Sequence, residues 1–262
     1  MLYTFENQPT NLATWIQNEI KLSNEIFVGA QGLSVRRVQE WLTLRGYPLT
    51  IDESYGPITA EVVGRFQEDL FLEPNGRVTQ KTFDHLVEPL RETLRQRLNM
   101  SISLNSAVLE YARAHLSQHP REIGGQNRGP WVRMYMKGNE GKPWAWCAGF
   151  VTFVLSQAAE SLQIDMPIPG SFSCDTLAAQ AKAAGLFVSE AEARRREIPP
   201  GSLFLVRRTS TDWTHVGIVA ETHELLFDTI EGNTNDEGSR EGYEVCTQSR
   251  GYTGKDFILL EP

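Results

Sequence analysis

The 262-residue sequence predicts an α+β protein: an α+β domain with an antiparallel sheet, preceded by a small all-α three-helix domain. Two patterns carry this. Between residues 31 and 89 apolar residues recur at helical spacing and are separated by glycine turns. Beyond residue 104, helical patterns come first and short strand patterns follow from Pro199 onward. The chain divides into a lead-in segment (1–30), the three-helix domain (31–89), a linker (90–103) and the α+β domain (104–262).

The elements follow in order. Leu12, Trp15, Ile16 and Ile20 give the lead-in one apolar helical face, which suits packing onto the rest of the protein. Val35, Val38, Leu42 and Leu44 mark a first helix, ended by Arg45-Gly46-Tyr47-Pro48. A turn at 52–57 leads to a second helix, with Thr59 as N-cap and Val62, Val63, Phe66 and Leu70 as its stripe. After the turn at 74–77, Thr79 caps a third helix through Phe83 and Leu86. Residues 91–99 are polar and helical, a connector. In the second domain Val108, Leu109, Ala112 and Leu116 predict a helix ending before Pro120. A glycine-rich loop at 124–130 precedes a short helix at 131–136. Cys147 opens a helix with Phe150, Val151, Val154 and Leu155 on its buried face, and 174–184 is helical. Strands are expected at 202–207, 215–220, 225–230, 243–247 and 257–260.

Composition narrows the function classes. Hydrophobic content of 40% and charged content of 22% suit a globular chain, and no apolar run approaches the roughly 18 residues of a membrane span. A net charge of −8 opposes non-specific binding to nucleic acid or anionic membrane, so no nucleic acid and no membrane insertion are expected. Arg194-Arg195-Arg196 and Arg207-Arg208 read as solvated element ends. Three cysteines, Cys147, Cys174 and Cys246, make no disulfide framework and have no C-x-x-C spacing for structural zinc. The first residues lack a basic region followed by an apolar stretch, so a secretory signal is not expected.

The chemistry-bearing residues are ordered Cys147, His215, then Glu231 and Asn233. A thiol needs a base to become a nucleophile, and the base needs a polar partner to fix its tautomer. Cys147 lies where a polar turn gives way to an apolar helix, and a helix N-terminus favours the thiolate. His215 starts a strand, with Gly217 leaving space beside the ring. Pairing about a turn at 221–224 places His215 opposite Ile230, so Glu231 and Asn233 emerge beside the imidazole. Either could accept the Nδ1 proton and leave Nε2 to the thiol. Trp144 and Trp146 flank the thiol. Asn127 lies in the glycine-rich loop, which either lines a groove or only connects. Cys174 and Cys246 read as packing residues.

Two resemblances give the chemistry a substrate. Val38-Gln39-Glu40-Trp41-Leu42, Tyr55-Gly56-Pro57-Ile58-Thr59, Arg65-Phe66-Gln67 and Asn75-Gly76-Arg77-Val78-Thr79 resemble the peptidoglycan-binding-like three-helix domain, with Val-Gln for Leu-Gln and Glu53-Ser54 for the usual Asp-Gly. That resemblance implies binding to wall glycan or stem peptide, or a module kept as a spacer. Trp146-Cys147-Ala148, Pro200-Gly201-Ser202-Leu203, His215-Val216-Gly217-Ile218-Val219 and Glu231-Gly232-Asn233 resemble the CHAP family, cysteine- and histidine-dependent amidohydrolases and peptidases of papain-like fold. The stretch at 122–130 is also similar to a subgroup of these hydrolases.

The CHAP resemblance implies Cys147 as nucleophile, His215 as base, and Glu231 and Asn233 as the groups that orient and polarise it. Trp146, Trp144 and Asn127 are the candidates for binding substrate, although Trp144-Ala145-Trp146 departs from the subgroup's tighter Pro-Trp-Cys. Some members bind calcium through an acidic loop before the cysteine. The sequence has no such cluster, so no metal and no cofactor are expected.

Together the resemblances imply a peptidoglycan hydrolase, first an N-acetylmuramoyl-L-alanine amidase, next a stem-peptide or cross-bridge endopeptidase. From other classes come a non-catalytic wall-binding or phage-structural protein, and a papain-like deamidase or transferase acting on protein. Such a hydrolase, made in the cytoplasm without a signal, would reach the wall or periplasm by lysis, phage particle or contractile secretion. Its partners would be peptidoglycan, a delivery apparatus and a neutralising protein.

Overall fold

The computed structural model describes residues 2–6, 11–96, 102–235 and 242–261. It is mixed α+β, with a helical N-terminal third and one six-stranded antiparallel sheet. The lead-in contains α1 (Thr14–Ile20), with Ile16 and Ile20 buried as the apolar face requires. Three helices follow: α2 (Leu33–Leu44), α3 (Pro57–Asp69) and α4 (Gln80–Leu86).

Two buried glutamines explain this domain's repeated sequence pattern. Gln39 on α2 accepts from the backbone N–H groups of Asp52 and Glu53 at 3.1 and 3.0 Å and donates to Ser54 O at 3.1 Å. Gln67 on α3 accepts from Gly76 N–H at 2.9 Å and donates to Arg77 O at 2.8 Å. Each glutamine therefore satisfies the turn that follows its helix, which a buried apolar residue could not do. Thr79 caps α4, accepting from Thr82 N–H. Thr59 is not an N-cap: α3 begins earlier, at Pro57, whose fixed φ suits a first helical position, and Thr59 is buried inside the helix.

Residues 90–94 of the expected linker belong to α5 (Glu88–Leu94), which buries Leu90, Thr93 and Leu94 and so packs instead of merely connecting. The expected connector helix stops at Leu94, because Arg95 turns extended and bridges Phe5; its remainder from residue 97 lies outside the described residues. The second domain runs α6 (Leu104–Ser117), α7 (Pro130–Tyr135), α8 (Cys147–Leu162) and α9 (Cys174–Ala183). After these come β1 (Phe187–Val188), α10 (Glu190–Ala193), β2 (Leu203–Thr209), β3 (Asp212–Thr222), β4 (Leu226–Thr234), β5 (Glu244–Gly251) and β6 (Lys255–Ile258). Strand order is β1-β6-β2-β3-β4-β5: a meander from β2 to β5, with β6 returning to pair β2. Val216, Ile218, Ile230 and Val245 share the main core with the helices, while Phe204, Val219, Phe227 and Phe257 form a smaller core with α10. The two-residue β1 and four-residue α10 are too short to leave a periodic signal.

The main core runs without interruption from Phe5 to Leu260, and polar groups tie the segments across it. Glu160 on α8 accepts from the N–H groups of Tyr3 and Thr4. Gln157, one turn earlier, donates to Thr93 O and accepts at His115 Nε2. Arg133 on α7 is the strongest tie. It donates to Glu19 of α1 at 2.9 Å, Glu40 of α2 at 2.7 Å and Glu140 at 2.9 Å. Burial alone would discourage its charge, but Glu19 and Glu40 raise its pKa beyond the usual arginine value. Arg36 and Arg37 also pair with these carboxylates, so losing Arg133 removes buried hydrogen bonds without leaving an acid unpaired. Arg133→Met is expected to lower unfolding free energy by about 1–3 kcal/mol, read from the urea midpoint at constant slope.

Candidate active site

Cys147 is the first residue of α8 and is 6% exposed. The first-turn N–H groups of a helix lack intrahelical acceptors and carry partial positive charge, so they favour an anion at this position. The Cys174 thiol is the largest influence on the Cys147 thiol. With the His215 imidazole and the Val216 N–H it outweighs burial and holds the Cys147 pKa well below the usual thiol range. The sulfur is therefore favoured as thiolate, the reactive form.

His215 lies on β3 and its Nε2 is 2.8 Å from Glu231 Oε2 on β4. Among the described residues Nδ1 has no hydrogen-bond partner, so it is the nitrogen left for the thiol. This reverses the expected use of the two ring nitrogens. The register differs too: the hairpin turn lies later than the sequence reading placed it, with Thr222 paired to Phe227, so Ile230 pairs with Ile218, not His215. Glu231 lies one position beyond and reaches the ring across Gly217. A Cβ on Gly217 would lie 2.8 Å from Glu231 Cγ and 2.6 Å from Phe204 Cε1, so only glycine leaves that passage.

Burial disfavours charge on both partners, and their neighbours reverse it. Cys147 and then Glu231 raise His215 to about 9. For Glu231, Arg250 and then His215 lower the carboxyl to about 2. Arg250, on β5, holds Glu231 with two bonds of 2.8 and 2.7 Å, and Thr229 Oγ1 donates a third at 2.6 Å. Sequence reasoning missed Arg250, because nothing local distinguishes it from a solvated strand-end arginine.

Asn233 does a different job from the one expected. Its φ of +57° and a register shift between Glu231 and Thr234 re-aim the side chain, and its Oδ1 accepts from Trp146 N–H at 3.2 Å. It thus fixes the start of α8. Trp146 is fully buried, stacked on Tyr135 at 5.5 Å and donating its indole N–H to Glu122 at 2.9 Å. It supports the thiol from beneath and does not line a groove. Asn127 is also turned inward, with Nδ2 donating to Lys142 O at 3.2 Å, so its side chain latches two loops. Trp144 is half-buried, edge-on to Phe172 at 6.2 Å. These rings stand three and two residues before Cys147 and Cys174, and Phe172 is a rim residue that the sequence reading did not name.

Cys174 is buried in the main core beside the site thiol. It is the first residue of α9, and its Sγ lies 3.9 Å from Cys147 Sγ. Asp175 accepts from Trp213 N–H at 2.7 Å and docks this helix start on β3. The sequence reading has 174–184 as helical by composition, and Ser173 caps the helix by accepting from Thr176 N–H. Metal-ligand spacing occurs elsewhere: Glu221, His223 and Asp228 place ligand atoms within 4.8 Å of one another at the exposed β3–β4 turn.

Fold and site thus define a mixed α+β chain whose buried imidazole joins a helix-start thiol to a neutralised carboxylate. Residues 31–86 match the family described as "Putative peptidoglycan binding domain". The match covers the small helical domain and supports a cell-wall-related function with peptidoglycan as partner. No curated protein matches the chain. Among the described residues, no helix is long and apolar enough to cross a membrane.

The electrostatics fix the sign of a pH test. The ion pair forms once the thiol loses its proton and dissolves as His215 deprotonates near 9. Glu231→Gln removes the carboxylate that raises the imidazole, so less positive charge faces the sulfur at neutral pH. Alkylation of Cys147 by iodoacetamide is expected to shift its acid limb to higher pH in this variant. An unchanged limb in a folded variant would remove Glu231 from the site.

Proposed function

We propose that the chain is a peptidoglycan hydrolase whose α+β domain is a papain-like, CHAP-type cysteine amidohydrolase. The observation that carries this reading is the buried His215, bonded at Nε2 to Glu231 and left open at Nδ1 beside the helix-start thiol of Cys147. The matched binding domain in the same chain supplies the substrate class.

In this reading Cys147 passes its proton to His215 Nδ1 and attacks an amide carbonyl. The free N–H groups at the start of α8 receive the oxyanion, and His215 protonates the leaving amine. Water, deprotonated by the same imidazole, then hydrolyses the thioester. Glu231 keeps the ring oriented and its charge favourable, and Arg250 keeps Glu231 ionised. Trp144 and Phe172 flank the approach to the sulfur. The bond proposed first is that between muramic acid and L-alanine, and a stem-peptide or cross-bridge bond is the alternative. The place of action is the wall or periplasm, reached by lysis, a phage particle or contractile secretion, with a neutralising protein protecting the producer.

Incubating the protein with intact peptidoglycan and identifying fragments by mass spectrometry tests this. Wild type is expected to release fragments whose new termini name the bond. Cys147→Ala is expected to release none, and His215→Ala to slow release by roughly 10²–10⁴-fold. Wall pull-down without fragments from wild type would instead establish a non-catalytic binding protein.

A further inference from the structure

The proposed cycle uses one thiol, yet the site holds two. Cys147 and Cys174 are 6% and 8% exposed, and their sulfurs are 3.9 Å apart. Each is the first residue of its helix, so the starts of α8 and α9 meet at one sulfur pair. The Cys174 thiol, the His215 imidazole and the helix start favour negative sulfur at Cys147, and Cys174 lies within reach of it. The opposing anchors are firm: Asn233 holds the start of α8, and Asp175 holds α9 on β3. Closing the gap to a disulfide of about 2.0 Å requires side-chain rotation of both cysteines and a small approach of the two first turns.

We infer that Cys147 and Cys174 form a reversible intramolecular disulfide on exposure to hydroperoxide, a modification that locks the site thiol. The inference rests on reading Cys147 as the site's nucleophile. The Cys147 thiolate attacks the peroxide, the O–O bond breaks, and a sulfenic acid forms as hydroxide leaves with a proton from His215. Cys174 then loses its proton to the neutral imidazole and attacks the sulfenyl sulfur. The S–O bond breaks, and the departing hydroxide takes that proton as water. With hydrogen peroxide the net change is two thiols and one peroxide giving one disulfide and two waters. The sulfurs lose two electrons and the peroxide oxygens gain them. A dithiol reverses the bond by exchange. The nearby second thiol thus diverts the sulfenic acid from irreversible over-oxidation.

The test treats the full-length protein with stoichiometric hydrogen peroxide, then denatures, alkylates and maps peptides without reductant. Wild type is expected to lose two of its three alkylatable thiols and to yield a peptide joining Cys147 to Cys174. Dithiothreitol restores all three. Cys246→Ser is expected to cross-link like wild type, and Cys174→Ser, given a second equivalent of peroxide, to carry sulfinic acid at Cys147 instead. Over-oxidised or untouched Cys147 in native wild type, or a cross-link through Cys246, overturns the inference. The wild-type map decides even if Cys174→Ser fails to fold. Wild type that cross-links but never cleaves peptidoglycan would defeat the hydrolase reading alone. Cleavage without the cross-link would defeat this inference alone.

Discussion

The site depends on the close approach of β4 to the first turn of α8. Gly232 makes that approach: a Cβ there would lie 2.8 Å from Phe150 and 2.9 Å from Trp146. The residues on either side exploit it. Glu231 reaches His215, and Asn233, turned by its left-handed backbone, reaches the Trp146 N–H that opens α8. One three-residue stretch therefore sets both the imidazole and the helix that carries the thiol. A larger residue at 232 would push the strand off the helix, and the carboxylate and the amide would move away from their partners together.

Burying a carboxylate there is costly unless its lone pairs are satisfied. Arg250 donates to both oxygens, sharing Oε2 with the imidazole, and Thr229 donates to Oε1. The result is an alternating chain of charge, from guanidinium to carboxylate to imidazole to thiol. Each member's charge is favoured by the next, so His215 and Cys147 sit in a field that the sheet has already arranged. Behind the thiol, Trp146 is held by Tyr135, whose hydroxyl lies 2.9 Å from His115 Nδ1. The same histidine meets Gln157, which also bonds the Thr93 carbonyl at the end of α5. Support for the site thus passes through the core into the segment following the helical domain.

The sequence carried the chemistry better than the geometry. Helical periodicity found α2, α3 and α4, and alternation found the strands, because both patterns are local. The order of Cys147, His215 and Glu231 was likewise readable, since each residue type has a distinct chemistry. The pairing of ring nitrogens was not, because it depends on how the imidazole is held between Glu231 and Cys147 in the assembled hairpin. Arg250 and Cys174 escaped notice for a similar reason: each is brought to the site by register and packing over long separation. Trp146 and Asn127 misled because polar or aromatic residues near a thiol suggest a groove, whereas here they fill the space beneath it.

The helical domain is not suspended on a tether. Glu40 and Trp41 of α2 are buried, with Glu40 bonded to Arg133 and Trp41 edge-on to Trp131 at 5.8 Å. That face of the domain is therefore spent on the second domain, and contact with wall polymer must fall on its other surfaces. Arg133 also bonds Glu140, and Glu140 accepts from Gly129 N–H at 3.0 Å, in the loop that precedes α7. The ion cluster thus joins the lead-in helix, the helical domain and the loops approaching Cys147. A polymer held on the exposed faces of the helical domain would meet the thiol at a distance set by this buried cluster, not by the length of a linker.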